Sequence, residues 1–339
     1  MENANNQQLT AADFKPDGPI KWCAGCGSYA ILSTVQRTLP LIGVKKENVV
    51  FISGIGCSSR FPYYMKTYGF HTMHGRAMPI ASGLKSARPE LNIWVATGDG
   101  DAMAIGGNHF IHTIRRNVDL NVLLFNNRIY GLTKGQYSPT TPIGGITKSS
   151  PDGTIEKPFE PGELVIGAQG TFFARVIDKE PKGIESVIVE AAKHKGTSIV
   201  EVLQNCVIFN DATHECIVGK DVKEDRIIYL QHGKKMIFGK NKDRGLIFDG
   251  HDIKAVTIGE NGITMDDILV HDKTSKNPNL HYMLAKMGYP ELPVAIGVIR
   301  SVEQDTFDTL LHNKVEEAQA NTKIHNIKEL LNSGKVFEI

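Results

Sequence analysis

"GDGDAMAIGGNHFIHTIRRNVDLNVLLFNN", Gly98 to Asn127, opens on a turn that follows one apolar run and closes on a turn that follows another. Residues 101–126 lie between Gly100 and Asn127, which is the length of one helix plus one strand. A crossover of that kind returns the chain to the same border of a parallel sheet, so the turn bearing Asp99 and the turn bearing Asn127 are expected side by side. One carboxylate, one amide oxygen and a main-chain carbonyl make a hard oxygen site that suits Mg²⁺, which keeps other positions for phosphate oxygens and water. The glycines let the backbone approach a diphosphate, and the helix that follows points its N-terminus at the negative charge.

Outward from that segment the same alternation continues. "NVVFISGIG" (48–56), "LNIWVATGDG" (91–100), "LNVLLFNN" (120–127) and "TSIVEVLQNC" (197–206) read as buried parallel strands. "SYAILSTVQRTLPLI", with Ser28 as its cap, spaces apolar residues like one helix face, and "PIASGLKSAR", "HFIHTIRRN" and "GIESVIVEAAKHK" supply further helices. The expected fold is α/β, a doubly wound, mostly parallel sheet whose ligands sit beyond the carboxyl ends of the strands. Three regions follow: a polar N-terminal arm (1–20), a binding domain (21–215) and a C-terminal extension (216–339). The extension reads as a polar hairpin over 229–250 and helices near the end, and is expected to serve packing and a subunit interface rather than chemistry.

Among 339 residues, 38 Lys and Arg nearly cancel 37 Asp and Glu, and 41% of residues are hydrophobic. A sizeable core is therefore available, and no broad field draws the chain to nucleic acid or an anionic membrane. The start, "MENANNQQLTAADFKPDG", lacks the pattern of a secretory signal, and the apolar runs are only strand-sized, so a soluble cytoplasmic protein is expected. Five scattered cysteines, an odd number, suit a reducing compartment and free or metal-ligating thiols.

Two of those thiols, Cys23 and Cys26, stand in "KWCAGCGS", just before the first helix. Cys57 in "SGIGCSSR" and Cys206 after "SIVEVLQN" each follow a strand, so all four can converge at one rim of the sheet. Four thiolates suit either Zn²⁺ or a [4Fe–4S] cluster. Zinc sites usually pair CxxC with a second close pair, whereas here the other two ligands are single and distant, which tilts the reading toward iron–sulfur. Cys216, in "DATHECIVG", is set aside as structural or incidental, with replacement of Cys206 as its alternative.

GDG, some two dozen residues and NN resemble the diphosphate-binding domain of thiamine diphosphate enzymes. That resemblance implies Mg²⁺ held by Asp99, Asn127 and the carbonyl of Ile129, with Gly100, Asp101, Gly131 and Leu132 lining the cofactor. The wider set "WCAGCG", "GIGCSS", "HGR", "GDGD", "NNRIYGLTKGQ" and "NCVIFN" resembles the beta subunit of 2-oxoacid:ferredoxin oxidoreductases, from Trp22 to about Glu215. It implies a [4Fe–4S] cluster on Cys23, Cys26, Cys57 and Cys206, with Ile55, Gly56, Cys57, Ser58 and His74 contacting thiamine diphosphate. It also implies an alpha subunit carrying the pyrimidine-binding domain and the activating Glu, a heterodimer or dimer of heterodimers, and ferredoxin as electron acceptor. A cluster beside the thiamine ring can withdraw electrons one at a time, and cluster potentials are tunable enough to serve a low-potential carrier.

Arg60, three residues after Cys57, and Lys134 in "GLTKGQ" are candidates to face the substrate, and two cations suit a dicarboxylate. "GLTKGQYSPTT" resembles the two-subunit branch acting on 2-oxoglutarate or broader 2-oxoacids rather than the pyruvate enzymes, which favours 2-oxoglutarate. The expected reaction is therefore conversion of 2-oxoglutarate and coenzyme A to succinyl-CoA and CO₂. The rivals are a non-oxidative thiamine enzyme (decarboxylase or carboligase), the same oxidoreductase acting on pyruvate or branched-chain 2-oxoacids, and a non-catalytic electron-transfer subunit. His74 is expected to hydrogen-bond cofactor or substrate; His71 is ambiguous, and His109 and His112 are read as structural.

Overall fold

The computed structural model describes residues 9–335 and Phe337; residues 1–8 of the N-terminal arm lie outside the described part. In chain order the first elements are α1 (Ser28–Ile42), β1 (Val49–Ser53), β2 (Tyr68–His71), α2 (Ala77–Ala87), β3 (Asn92–Gly98), α3 (Gly107–Arg116) and β4 (Asn121–Asn126). They are followed by α4 (Pro161–Gly167), β5 (Phe172–Ile177), α5 (Pro181–Lys193) and β6 (Ser198–Leu203). The remainder holds α6 (Glu215–Val218), α7 (Lys223–Arg226), β7 (Ile227–Tyr229), β8 (Ile237–Phe238), β9 (Arg244–Phe248), β10 (Ile253–Thr257), α8 (Asn279–Lys286), β11 (Val294–Ser301), α9 (Phe307–Asn321) and α10 (Ile327–Leu331).

An eight-stranded sheet runs in the order β2-β1-β3-β4-β6-β5-β11-β7. The first six positions are parallel; β11 pairs antiparallel with β5 and parallel with β7. One face packs on α2, α3, α4 and α8 through residues such as Val122, Leu124, Phe110 and Leu284. The opposite face packs on α1 and α5 through Trp94, Phe125, Val35 and Ile188. The result is the helix-sheet-helix sandwich that strand-helix alternation implies, because each crossover must cover one face of a sheet that is apolar on both.

Three expectations need revision. Residues 216–339 do more than extend the domain: β11 and β7 complete the central sheet, and the anticipated hairpin is the β8–β9 part of a three-stranded sheet that continues into β10. Pairing between strands so distant in sequence leaves no local periodic mark. Ser28 does not cap α1, because it is the first helical residue and Gly27 precedes it; the Ser28 hydroxyl instead accepts from Gln204 Nε2 at 2.6 Å. The arm over 1–20 is not wholly polar in its role, since Phe14 is fully buried in the α1 side of the core.

Among the described residues no helix is long and apolar enough to cross a membrane.

Candidate functional site

Four neighbouring strands, β1, β3, β4 and β6, run in parallel and release their chains at one border of the sheet. The loops leaving them carry Gly54–Cys57, Asp99–Asp101, Asn127–Gly135 and Gln204–Cys206. Because β3 and β4 are paired with Gly98 opposite Phe125, the turns with Asp99 and Asn127 stand beside each other.

On the β3–β4 side, Asp99 is buried, and Ser138 and Thr140 donate their hydroxyls to its Oδ2 at 2.6 Å each. Burial pushes its carboxyl above the ordinary carboxylate range, against the opposing hydroxyl hydrogen bonds. A buried carboxylate served by neutral hydroxyl and backbone donors, with no cationic side chain bonded to it among the described residues, is a fitting partner for a cation. The Asn127 amide is oriented by two bonds: its Oδ1 accepts from the Ile129 N–H at 3.2 Å and its Nδ2 donates to Gln204 Oε1 at 3.3 Å. Asn210 Nδ2 donates to the carbonyls of Asn127 (3.0 Å) and Arg128 (3.3 Å), and the Thr141 hydroxyl donates to that of Arg128 (2.8 Å). Among the described residues no donor reaches the next carbonyl, that of Ile129. Asp99, Asn127 and the Ile129 carbonyl therefore fit the oxygen donor set of a Mg²⁺ site. Arg128 and Lys134 both take left-handed backbone angles (φ 57° and 75°), costing about 1–2 kcal/mol each, and such strain concentrates at ligand-holding loops.

The carboxylate of Asp101 is committed to the protein. It accepts from the backbone N–H of Ile55 (3.1 Å) and Gly75 (2.7 Å) and from the Thr97 hydroxyl (2.7 Å), and it pairs with His74 Nδ1 at 2.7 Å. Of Asp101, only the main chain is left for a cofactor. Gly54 is glycine because a Cβ there would stand 2.0 Å from Asp101 Oδ2. His74 is thereby held with its Nε2 edge unclaimed by Asp101, near Tyr130, whose hydroxyl donates to the Gly100 carbonyl at 3.1 Å.

On the other side, a cavity of about 260 Å³ is lined by Cys23, Cys26, Cys57 and Cys206 together with Asn127, Gly131, Arg60 and Lys134. Long-range hydrogen bonds assemble it. Trp22 Nε1 donates to the Cys57 carbonyl (2.7 Å) and Arg60 Nη1 to the Lys21 carbonyl (3.2 Å), which docks the CxxC loop onto the β1 loop. Gln204 Nε2 reaches Ser28 Oγ and, at 3.9 Å, Cys26 Sγ, which docks the β6 loop. A Cβ on Gly131 would stand 3.5 Å from Cys57 Sγ and 3.6 Å from Cys206 Sγ, taking up the space between the two thiols. Burial, followed by the neighbouring thiols Cys206, Cys26 and Cys23, pushes Cys57 up to about 11. Burial likewise raises Cys26, against hydrogen bonds from Ser28.

Among the described residues no group of three or more His, Cys, Asp and Glu is set to hold a metal ion. Four cysteine sulfurs on one cavity are a donor set that either a single Zn²⁺ or an iron–sulfur cluster accepts. Exposed Cys216, on α6, is not among the residues lining the cavity.

Of the other candidates, Leu132 is half exposed at the cavity rim, and Ser58 is buried at the start of a short 3₁₀ turn behind Cys57. His71 pairs with Tyr63 on the edge strand β2, and His109 and His112 lie on α3, away from these loops. Sequence reasoning missed Ser138, Thr140, Thr141, Gln204, Asn210 and Tyr130. The polar cluster "SPTT" shortly after the NN turn was the one available signal.

Residues 54–202 match the family model for the C-terminal TPP-binding domain of thiamine pyrophosphate enzymes. The chain is 44% identical over 315 residues to the 2-oxoglutarate oxidoreductase subunit KorB of Mycobacterium tuberculosis, spanning 93% of this chain and 84% of that one. It is 46% identical over 204 residues to the 2-oxoglutarate synthase subunit KorB of Archaeoglobus fulgidus, spanning 60% and 74%. Among solved structures it resembles the 2-oxoglutarate:ferredoxin oxidoreductase from Magnetococcus marinus with 2-oxoglutarate, coenzyme A and succinyl-CoA bound, with a TM-score of 0.76, 30% identity and 97% of each chain covered.

Proposed function

The chain belongs to the beta subunits of the 2-oxoglutarate oxidoreductases (2-oxoglutarate synthases), and on that premise we propose that, joined to an alpha subunit, it converts 2-oxoglutarate and coenzyme A to succinyl-CoA and CO₂ and delivers two electrons to ferredoxin. The observation that carries the reading is the cavity in which four thiols, Asn127 and two cations meet at one border of the sheet. Thiamine diphosphate, when bound, supplies the decarboxylation chemistry, and a [4Fe–4S] cluster supplies a one-electron outlet.

In this reading Asp99, Asn127 and the Ile129 carbonyl hold Mg²⁺. The main chain of Gly100, Asp101, Gly131 and Leu132 and the loop Ile55–Ser58 line the cofactor. Cys23, Cys26, Cys57 and Cys206 hold the cluster, and Gln204, bonded to Asn127 and to Cys26, ties the two halves together. His74, oriented by Asp101, presents Nε2 to cofactor or substrate. Arg60 and Lys134 receive the substrate's two carboxylates. The activating Glu comes from the alpha subunit, so the isolated chain is inactive, and the complex is a heterodimer or a dimer of heterodimers working in the cytoplasm. The segment 216–339 contributes to the subunit interface.

Reconstitution with the alpha subunit tests this. The complex is expected to reduce a viologen dye only when 2-oxoglutarate and coenzyme A are both present, and to contain iron and acid-labile sulfide. Zinc in place of iron, or faster turnover of pyruvate than of 2-oxoglutarate, would sink the proposal.

The substrate assignment makes a narrower prediction. Lys134 is exposed, so its contribution sits at the low end of the ~1.5–3 kcal/mol of a charge-assisted hydrogen bond. Lys134→Ala should raise KM for 2-oxoglutarate roughly tenfold while leaving a monocarboxylic 2-oxoacid nearly untouched. Equal effects on both substrates would remove Lys134 from the distal-carboxylate role.

A further inference from the structure

Behind the Asp99 turn, a line of buried polar side chains crosses the middle of the sheet. Arg175 on β5 and Glu201 on β6 stand directly opposite each other, with Nε and Oε2 2.7 Å apart. The other carboxylate oxygen, Oε1, accepts from Asn126 Nδ2 on β4 at 2.7 Å. Asn126 Oδ1 lies 3.0 Å from the Thr140 hydroxyl, which is also 2.6 Å from Asp99 Oδ2. Arg175 ends the line with Nη2 donating to the Ala285 carbonyl on α8, and every side chain from Asp99 to Arg175 is buried.

A buried ion pair is poor evidence for stability, since well-packed apolar replacements are often neutral or better. Its geometry here points elsewhere. Ionised Glu201 is acceptor-only, so it obliges Asn126 to turn Nδ2 toward it and Oδ1 toward Thr140. Thr140 has one proton and then faces two acceptors, Asn126 Oδ1 and Asp99 Oδ2. Glu201 thus limits how fully a hydroxyl satisfies Asp99 and leaves that carboxylate in need of a cation.

We propose that Glu201, held by Arg175, is a positioning residue for the cation site: through Asn126 and Thr140 it sets the hydrogen bonding, and hence the cation affinity, of Asp99. This rests on the proposed Mg²⁺ site, and the parent complex is the control that separates the two. A metal-depleted parent that fails to bind Mn²⁺ in the presence of thiamine diphosphate refutes the site itself.

The test is Mn²⁺ binding to the assembled alpha–beta complex with thiamine diphosphate, followed by electron paramagnetic resonance. In Glu201→Gln the substituted side-chain amide can donate, Asn126 is free to flip, and the Thr140 proton passes wholly to Asp99. Mn²⁺ binding is then expected to weaken roughly tenfold or more, within the ~10–100-fold range for outer-shell partners. The double variant Arg175→Met and Glu201→Met removes the pair without stranding a charge and should show the same loss. Thr140→Val takes that hydroxyl away from Asp99 and should therefore tighten binding rather than weaken it, while Thr140→Ser, which keeps the hydroxyl, should stay at the parental affinity. Mn²⁺ affinity within twofold of the parent in folded Glu201→Gln or in the folded double variant would overturn the proposal. Failure of all these variants to fold would also overturn it, reassigning the network to stability.

Discussion

Asp99→Ala is expected to abolish 2-oxoglutarate-dependent reduction in the reconstituted complex, a larger loss than the ~10–100-fold that disturbing an outer-shell partner costs. The neighbouring carboxylate, that of Asp101, is not free to replace it, because it is already engaged by Ile55, His74, Gly75 and Thr97. Asp99→Asn separates function from folding. In the metal-free chain, burial raises the Asp99 carboxyl, so the folded state holds its proton more tightly than the unfolded state. Stability is then lost as pH rises from the ordinary carboxylate range through the folded value. At neutral pH the metal-free Asp99→Asn chain should unfold at a higher temperature than the metal-free parent, while the assembled complex remains inactive. Thermal unfolding with and without Mg²⁺ reads both effects. An Asp99→Asn complex that keeps parental activity, or a metal-free variant less stable than the parent, would show that the carboxylate is not a strained cation ligand.

Cys57→Ser should remove most of the iron and sulfide and reduce dye or ferredoxin reduction to background, while thiamine diphosphate still binds within a few-fold of the parent. The thiols themselves supply the reason. In the cluster-free chain Cys57 is pushed up to about 11 by burial and by the other three cysteines. It is a neutral thiol at pH 7 and becomes a ligand only when a cationic centre takes the proton's place. Loading should therefore release protons and grow more favourable with rising pH. Cys216→Ser is the matched control: this thiol is exposed and not among the residues lining the cavity, so iron content and activity should not change. A Cys57→Ser complex with full iron, or a Cys216→Ser complex without it, would redraw the ligand set.

Much of the site-bearing half of the fold is legible along the chain. β1, β3 and β4 carry largely apolar runs, β6 one broken by Glu201 alone, and helices α1, α2, α3 and α5 one-sided helical spacing, and these are local signals. β5, "FFARVI", carries Arg175 in its middle just as β6 carries Glu201, and that these two charges meet across neighbouring strands is not visible along the chain. β11 escapes a local reading as a member of the central sheet, because its place beside β5 is fixed by contacts more than a hundred residues away. Within the site, the cysteines and the GDG and NN turns are readable as types at spacings. The part played by Gln204, Asn210 and Thr140 is not, since nothing local distinguishes a glutamine that joins two loops from one that faces water.

What the amino-acid sequence determined by itself is the chemical inventory and the border at which it is displayed. Strand-helix-strand crossovers have nearly fixed lengths, so turns about one crossover apart must return to the same side of a parallel sheet. What the tertiary structure alone decided is how those groups are held: which oxygen of Asp99 receives hydroxyls, which carbonyl is left without a donor, and how Trp22, Arg60 and Gln204 dock three distant loops into one ring of thiols. Hydrogen bonds and burial of this kind form between segments that meet only after the sheet has closed, and their cost or gain depends on the surrounding dielectric and packing rather than on spacing along the chain.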